Sequence, residues 1–176
     1  MRRLALNVPV VVVLAITVPN DVGGQTPTTP TCDSLPAYHL LDFWVGEWDV
    51  KAADQPVGTN RIEKVAAGCG LIENWKDTDG SEGKSLFYYL RGRREWKQVW
   101  VQPGGVKEKH LIATFGDGGV RFQGDLPRAD GSFVLDRTTL SPLPDGRVRQ
   151  VIEQSVDGGK TWVVGFDGYY SRRSPR

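Results

Sequence analysis

The stretch Asp130-Gly131-Ser132-Phe133-Val134-Leu135-Asp136-Arg137-Thr138-Thr139-Leu140-Ser141-Pro142-Leu143-Pro144-Asp145-Gly146-Arg147-Val148-Arg149-Gln150-Val151-Ile152-Glu153-Gln154-Ser155-Val156-Asp157-Gly158 holds two runs rich in Val, Leu, Ile, Thr and Phe, set off by three Asp-Gly pairs. Asp-Gly tolerates positive φ and closes tight hairpins, so each run reads as a strand pairing antiparallel with its neighbour. Asp79-Gly80 and Asp117-Gly118 repeat the signal upstream. From Gly46 onward the longest stretch free of Gly and Pro is the eleven residues Arg147–Asp157, which leaves no room for a long helix. Ten strands are expected: Glu47–Ala52, Asn60–Ala66, Gly70–Asp77, Lys84–Leu90, Glu95–Gln102, Val106–Thr114, Gly119–Gly124, Ser132–Leu140, Arg147–Ser155 and Thr161–Tyr170. The fold class that follows is all-β, an antiparallel up-and-down barrel of about ten strands, since closure removes the exposed edges. Tyr38–Val45 alone has helical character, and a short helical turn there is expected to plug one end.

The 176 residues carry 22 Lys+Arg against 21 Asp+Glu. Residues 1–24 hold Arg2, Arg3 and Asp21, so the chain without them has 20 of each sign. This balance argues against a nucleic-acid or anionic-membrane partner held by charge. Arg2 and Arg3 precede an apolar run, Leu4–Val18, followed by Asn20, Asp21, Gly23 and Gly24, the layout of a signal peptide cleaved near Gly24. A bilayer needs about 20 apolar residues, and this run is shorter and broken by Asn7 and Pro9, although a retained anchor is the rival reading. The expected organisation is a signal peptide over 1–24, a Pro/Thr-rich flexible lead-in over 25–36 and one barrel domain over 37–173, exported to the periplasm or secreted, with no membrane span after cleavage. In an exported chain Cys32 and Cys69 read as one disulfide, and as two free thiols if export fails.

Leu41-Asp42-Phe43-Trp44-Val45-Gly46-Glu47-Trp48-Asp49-Val50 sets Gly-x-Trp at the entry to the first strand. With the strands that follow, it resembles the calycin superfamily, the lipocalins and nitrobindin-like barrels. The longer string also resembles a group of exported bacterial proteins of unknown function with a lipocalin-like barrel. That likeness runs from about Cys32 to Tyr170 and takes in Glu73-Asn74-Trp75, Trp96-Lys97-Gln98-Val99-Trp100 and Val148-Arg149-Gln150. The resemblance implies structural roles for Gly46 and Trp48, with Arg172 or Arg173 over the indole at the closed end. Fatty-acid-binding relatives insert a two-helix lid between the first two strands, and Ala53–Gly58 is too short for one. Nitrobindin-like proteins hold haem through a late His, and no His follows His110 here, so no cofactor is expected.

Ser155-Val156-Asp157-Gly158-Gly159-Lys160-Thr161-Trp162 matches the Asp-box hairpin, in which Asp157 ties the turn amides and Trp162 packs beneath, a folding unit and not a catalytic one. Gly80-Ser81-Glu82-Gly83-Lys84-Ser85 lacks the first Gly of a phosphate loop. His39 and His110 are far apart, there is no nucleophile elbow and no clustered metal ligands, so no catalytic residue and no metal site is assigned. Alternation leaves interior candidates: Trp96, Gln98 and Trp100 on one face; Leu71, Glu73 and Trp75 on another; Phe133, Leu135, Arg137 and Thr139 on a third; Val148, Gln150, Ile152 and Gln154 on a fourth. Large aromatics mixed with a few polar groups suit a small-molecule pocket. The ligand contacts expected are Glu73, Trp75, Trp96, Gln98, Trp100, Arg137 and Gln150, around a small apolar or amphipathic molecule. The alternatives are a filled barrel with a Glu73–Arg137 pair, an enzyme using Glu73 or Glu153 as general base on a lipid-like substrate, and an envelope interaction module.

Overall fold

The computed structural model describes residues 31–128 and 130–174. The expected signal peptide and residues 25–30 of the expected lead-in fall outside the described residues. Ten strands follow in order: β1 (Gly46–Ala52), β2 (Gln55–Val65), β3 (Gly70–Asp77), β4 (Glu82–Leu90), β5 (Glu95–Gln102), β6 (Gly105–Thr114), β7 (Val120–Pro127), β8 (Phe133–Pro142), β9 (Val148–Ser155) and β10 (Val163–Arg172). Each pairs antiparallel with the next and β10 returns to β1, closing the barrel. The Asp-Gly turns work as their chemistry dictates. Gly80, Gly118, Gly131, Gly146 and Gly158 all have positive φ, and Asp79, Asp117, Asp130 and Asp145 each accept the amide N–H two residues on.

The largest boundary difference is in β2, which starts at Gln55 rather than Asn60. Ala53 and Asp54 both take positive φ and make a two-residue turn. A bulge between Val50 and Lys51 then carries the ladder past Pro56 and Gly58, residues that read as a break. The expected helical plug is a series of 3-10 turns, Cys32–Ser34, Pro36–His39 and Asp42–Trp44. Segments this short lack the length for a stable α-helix and are held by tertiary contacts. Cys32 of the expected lead-in is disulfide-bonded to Cys69 in the β2–β3 turn. Lys64 adds a second tie, with Nζ 3.2 Å from Asp33 and 2.9 Å from Asp42.

The plug closes the end where β1 begins. Trp44 and Trp48 are fully buried, and Trp48 donates its indole N–H to the Trp44 carbonyl at 2.9 Å. Trp44 meets Phe87 and Tyr170 edge-on at 5.5 and 6.1 Å, and Phe87 meets Phe122 at 5.4 Å. Arg172, opposite Trp48 in the β1–β10 ladder, lays its guanidinium 4.1 Å from the indole centre and donates to the Val45 carbonyl at 2.6 Å. Gly46 is required beneath it: its φ is +139°, and a Cβ would collide with the Arg172 guanidinium. Among the described residues no helix is long and apolar enough to cross a membrane.

Candidate functional site

Inside the barrel the side chains fall into layers because each strand advances its inward positions two residues at a time. Leu71, Trp96, Phe122, Leu140 and Val148 fill the layer next to the plug, and all are buried. The next layer is polar and also buried, with Asn60, Glu73, Ser85, Gln98, Lys109, Thr138 and Gln150. Beyond it, toward the β3–β4 and β5–β6 hairpins, stand Trp75, Trp100, Ile152 and Phe166. These outer residues and the polar layer enclose a cavity of about 230 Å³, with Asp77 and Gln102 at its mouth.

The aromatic wall depends on missing side chains. The Trp75 ring lies across Gly58 of β2, where a Cβ would come within 2.7 Å of it, and the Trp100 ring lies across Gly83 of β4. Glycine lets both indoles press against the neighbouring backbone and leaves the centre open.

The polar floor is a connected network. Asn60 Nδ2 and Ser85 Oγ each donate to a Glu73 carboxyl oxygen at 2.7 Å, and Gln98 Nε2 donates to Ser85 Oγ at 3.1 Å. Tyr170 donates its hydroxyl to Gln150 Oε1 at 2.6 Å. Two buried acceptors, Asn60 Oδ1 and Gln98 Oε1, receive no donor among the described residues. Burial pushes the Glu73 carboxyl up from its ordinary value, against the opposing hydrogen bonds from Ser85 and Asn60 and the charge of Lys109. Burial also pushes the Tyr170 hydroxyl well up.

On the other wall Lys109 pairs with Asp136 and donates to Thr138 Oγ1 at 2.7 Å, while Lys107 Nζ lies 3.1 Å from Asp136 Oδ2. Burial lowers the Lys109 ammonium pKa despite Asp136. Burial pushes Asp136 up, but Lys109, Gln154 and Lys107 outweigh it and leave the carboxyl below its ordinary value.

Of the seven expected ligand contacts, Glu73, Trp75, Gln98, Trp100 and Gln150 line this one cavity. Trp96 does not: it lies in the layer next to the plug, against Tyr89 and Tyr38, and donates to the Ala37 carbonyl at 3.0 Å. Arg137 is corrected to the outside of the barrel. It pairs with Glu153 at 2.7 Å and lies 3.8 Å over the Trp162 ring, so the internal Glu73–Arg137 pair and a luminal Glu153 are both ruled out. In β8 the inward face is Val134, Asp136, Thr138 and Leu140. Alternation then sets Arg137 outward, where the Asp-box meets it. Asp157 accepts from Ser155 Oγ, from the amides of Lys160 and Thr161, and from Thr161 Oγ1. These donors pull its carboxyl down to about 2, and the Trp162 indole, tied to the Gly159 carbonyl at 3.0 Å, offers Arg137 its face.

Sequence reading missed Lys107, Lys109 and Asp136. The signal was in the hairpins: Pro103-Gly104 closes β5–β6 so that Trp100 faces Lys107 and Gln98 faces Lys109. With Trp100 inward, both lysines are inward too. Among the described residues no three His, Cys, Asp or Glu side chains cluster as a metal site. No protein-family model matches the chain and no curated protein sequence is significantly similar to it.

Proposed function

We propose that the protein is an exported, periplasmic or secreted calycin-like barrel that binds a small, partly apolar molecule in its lumen without transforming it. The observation that carries this reading is the layered cavity, apolar below its mouth with Trp75, Trp100 and Phe166 and polar at the floor with Glu73, Gln98 and Gln150. Gln98 Oε1 supports it further, as a buried acceptor without a protein donor on the cavity wall. Export is supported by the signal-like start of the chain and by the Cys32–Cys69 disulfide, which suits an oxidising compartment. The calycin likeness is supported by Gly46, Trp48 and Arg172 at the closed end of a barrel without a lid.

Native mass spectrometry of the protein from the exported fraction tests the reading, together with indole fluorescence titrated with small aromatic and isoprenoid compounds. A bound mass lost on denaturation, or a saturable signal weakened by Trp100→Ala, is expected. No bound mass and no saturable signal with any of these compounds would overturn it. A second reading, an enzyme with Glu73 as general base, draws on the raised pKa of a carboxyl that lines the cavity. A Glu73→Gln variant that binds but no longer turns a ligand over would favour it.

A further inference from the structure

We propose that the molecule held in this cavity carries a carboxylate, received by the ammonium groups of Lys107 and Lys109, on a flat apolar body that lies between Trp75, Trp100 and Phe166. This rests on the ligand-binding reading above and names its ligand class.

The β5–β6 ladder sets Trp100 opposite Lys107 and Gln98 opposite Lys109, one patch of four side chains on the inner wall. Both lysines spend their charge on the same group: Lys109 pairs with Asp136, and Lys107 approaches its second oxygen at 3.1 Å. Asp136 is fully buried, takes a further donor from Gln154 at 3.1 Å, and stands behind the cavity wall. An ammonium has three N–H donors. Lys109 uses two, on Asp136 and Thr138, and Lys107 uses one, so donors remain on both. The other acidic groups lining the cavity are Glu73 and Asp77. Glu73 is engaged by Asn60 and Ser85, and neither it nor Asp77 forms an ion pair with a lysine among the described residues. Two cations thus share one carboxylate at the edge of an apolar chamber. Both lysines line the cavity, and their unused N–H donors take a ligand carboxylate through charge-assisted hydrogen bonds. A cationic head would meet two ammoniums. The size is bounded as well: an apolar cavity of about 150 Å³ holds a benzene ring, and this one, at about 230 Å³, admits a body of one or two rings.

The test compares three probes with one ring system, naphthalene-2-carboxylate, naphthalen-2-ylmethanol and naphthalen-2-ylmethylammonium, titrated into the full exported chain by calorimetry and indole fluorescence. The carboxylate is expected to bind about tenfold or more tighter than the alcohol, and the ammonium weakest. Lys107→Gln, at a half-buried position, is expected to bring the carboxylate down to the level at which the same variant binds the alcohol; thermal unfolding checks that it folds. If the alcohol or the ammonium binds as tightly as the carboxylate, the headgroup assignment falls while the binding reading stands. If Lys107→Gln binds the carboxylate as tightly as the unchanged protein, the lysine assignment falls. If none of the three binds at millimolar concentration, both readings fall.

Discussion

Replacing Lys109 by Met tests the electrostatics of the barrel interior. The Lys109 side chain is 4% exposed and that of Asp136 is 0%, so the substitution keeps an unbranched apolar stem at residue 109 and removes the principal counter-charge of a buried carboxylate. Breaking a buried pair from one side costs about 3–5 kcal/mol. Lys107 and Gln154 remain on Asp136, which places the expected loss toward the lower end. At roughly 2–4 °C per kcal/mol for a domain of this size, a loss of about 3 kcal/mol should lower the unfolding temperature by about 6–12 °C. The double variant Lys109→Met/Asp136→Leu should recover most of that loss, because apolar groups of similar volume replace the pair without stranding a charge. The pH dependence has a sign. Asp136 has a lowered folded pKa, so its stabilisation is present above the ordinary carboxylate value of 3.8 and is lost as pH falls through the folded value. Without Lys109, burial dominates, and the acid limb attributable to Asp136 should weaken or reverse. Urea unfolding followed by indole fluorescence across the acid range gives both quantities. A single variant within about 1 kcal/mol of the parent, or a double variant no more stable than the single, would refute the reasoning.

Three further outcomes are expected. Glu73 has a folded pKa raised by burial, so the native state holds its proton longer and stability should decline as pH rises from 4.5 through the folded value; Glu73→Gln should remove that slope, and an identical slope in both proteins, measured by urea unfolding, would contradict it. Cys32 and Cys69 are separated by 37 residues, so Cys32→Ser/Cys69→Ser should lose about 4 kcal/mol on the chain-entropy account; a loss under about 1 kcal/mol would mean that the plug docks by packing and ion pairs alone. Gly46→Ala puts a Cβ into the Arg172 guanidinium at positive φ and should cost about 1–3 kcal/mol. Adding Arg172→Ala should then cost less than it does alone, because the contact is already broken; full additivity would show that Gly46 and Arg172 act separately.

Trp75 and Trp100 of the aromatic wall were legible because each recurs with a polar partner at alternate positions along a single strand, whereas Phe166, which follows a register shift in β10, was not. Glu73 and Trp75 sit two apart in β3, Gln98 and Trp100 two apart in β5, and both pairs line the cavity. Alternation sorts a strand into two faces without saying which one is buried. In β8 both faces are mixed: Phe133, Leu135 and Arg137 against Val134, Asp136 and Thr138. Hydrophobicity gives Phe133 and Leu135 to the interior, yet Phe133 is 63% exposed while Asp136 is fully buried. The same ambiguity hid β6, where Lys107, Glu108, Lys109 and His110 are all polar.

The sequence by itself determined the antiparallel strand order, the Asp-Gly turns and the Asp-box, because these follow from local backbone chemistry, and it pointed to closure through the edges that ten strands would otherwise expose; the Cys32–Cys69 bond, open to two readings in the sequence, is settled by the structure. Only the tertiary structure decided that Arg137 stacks on Trp162 outside while Lys107, Lys109 and Asp136 turn inward. That choice depends on contacts between strands distant in sequence, Lys109 in β6 against Asp136 and Thr138 in β8. Such a pairing offsets the cost of burying charge once β7 has joined the two strands, with Gly124 opposite Asp136 leaving the inner face open between them.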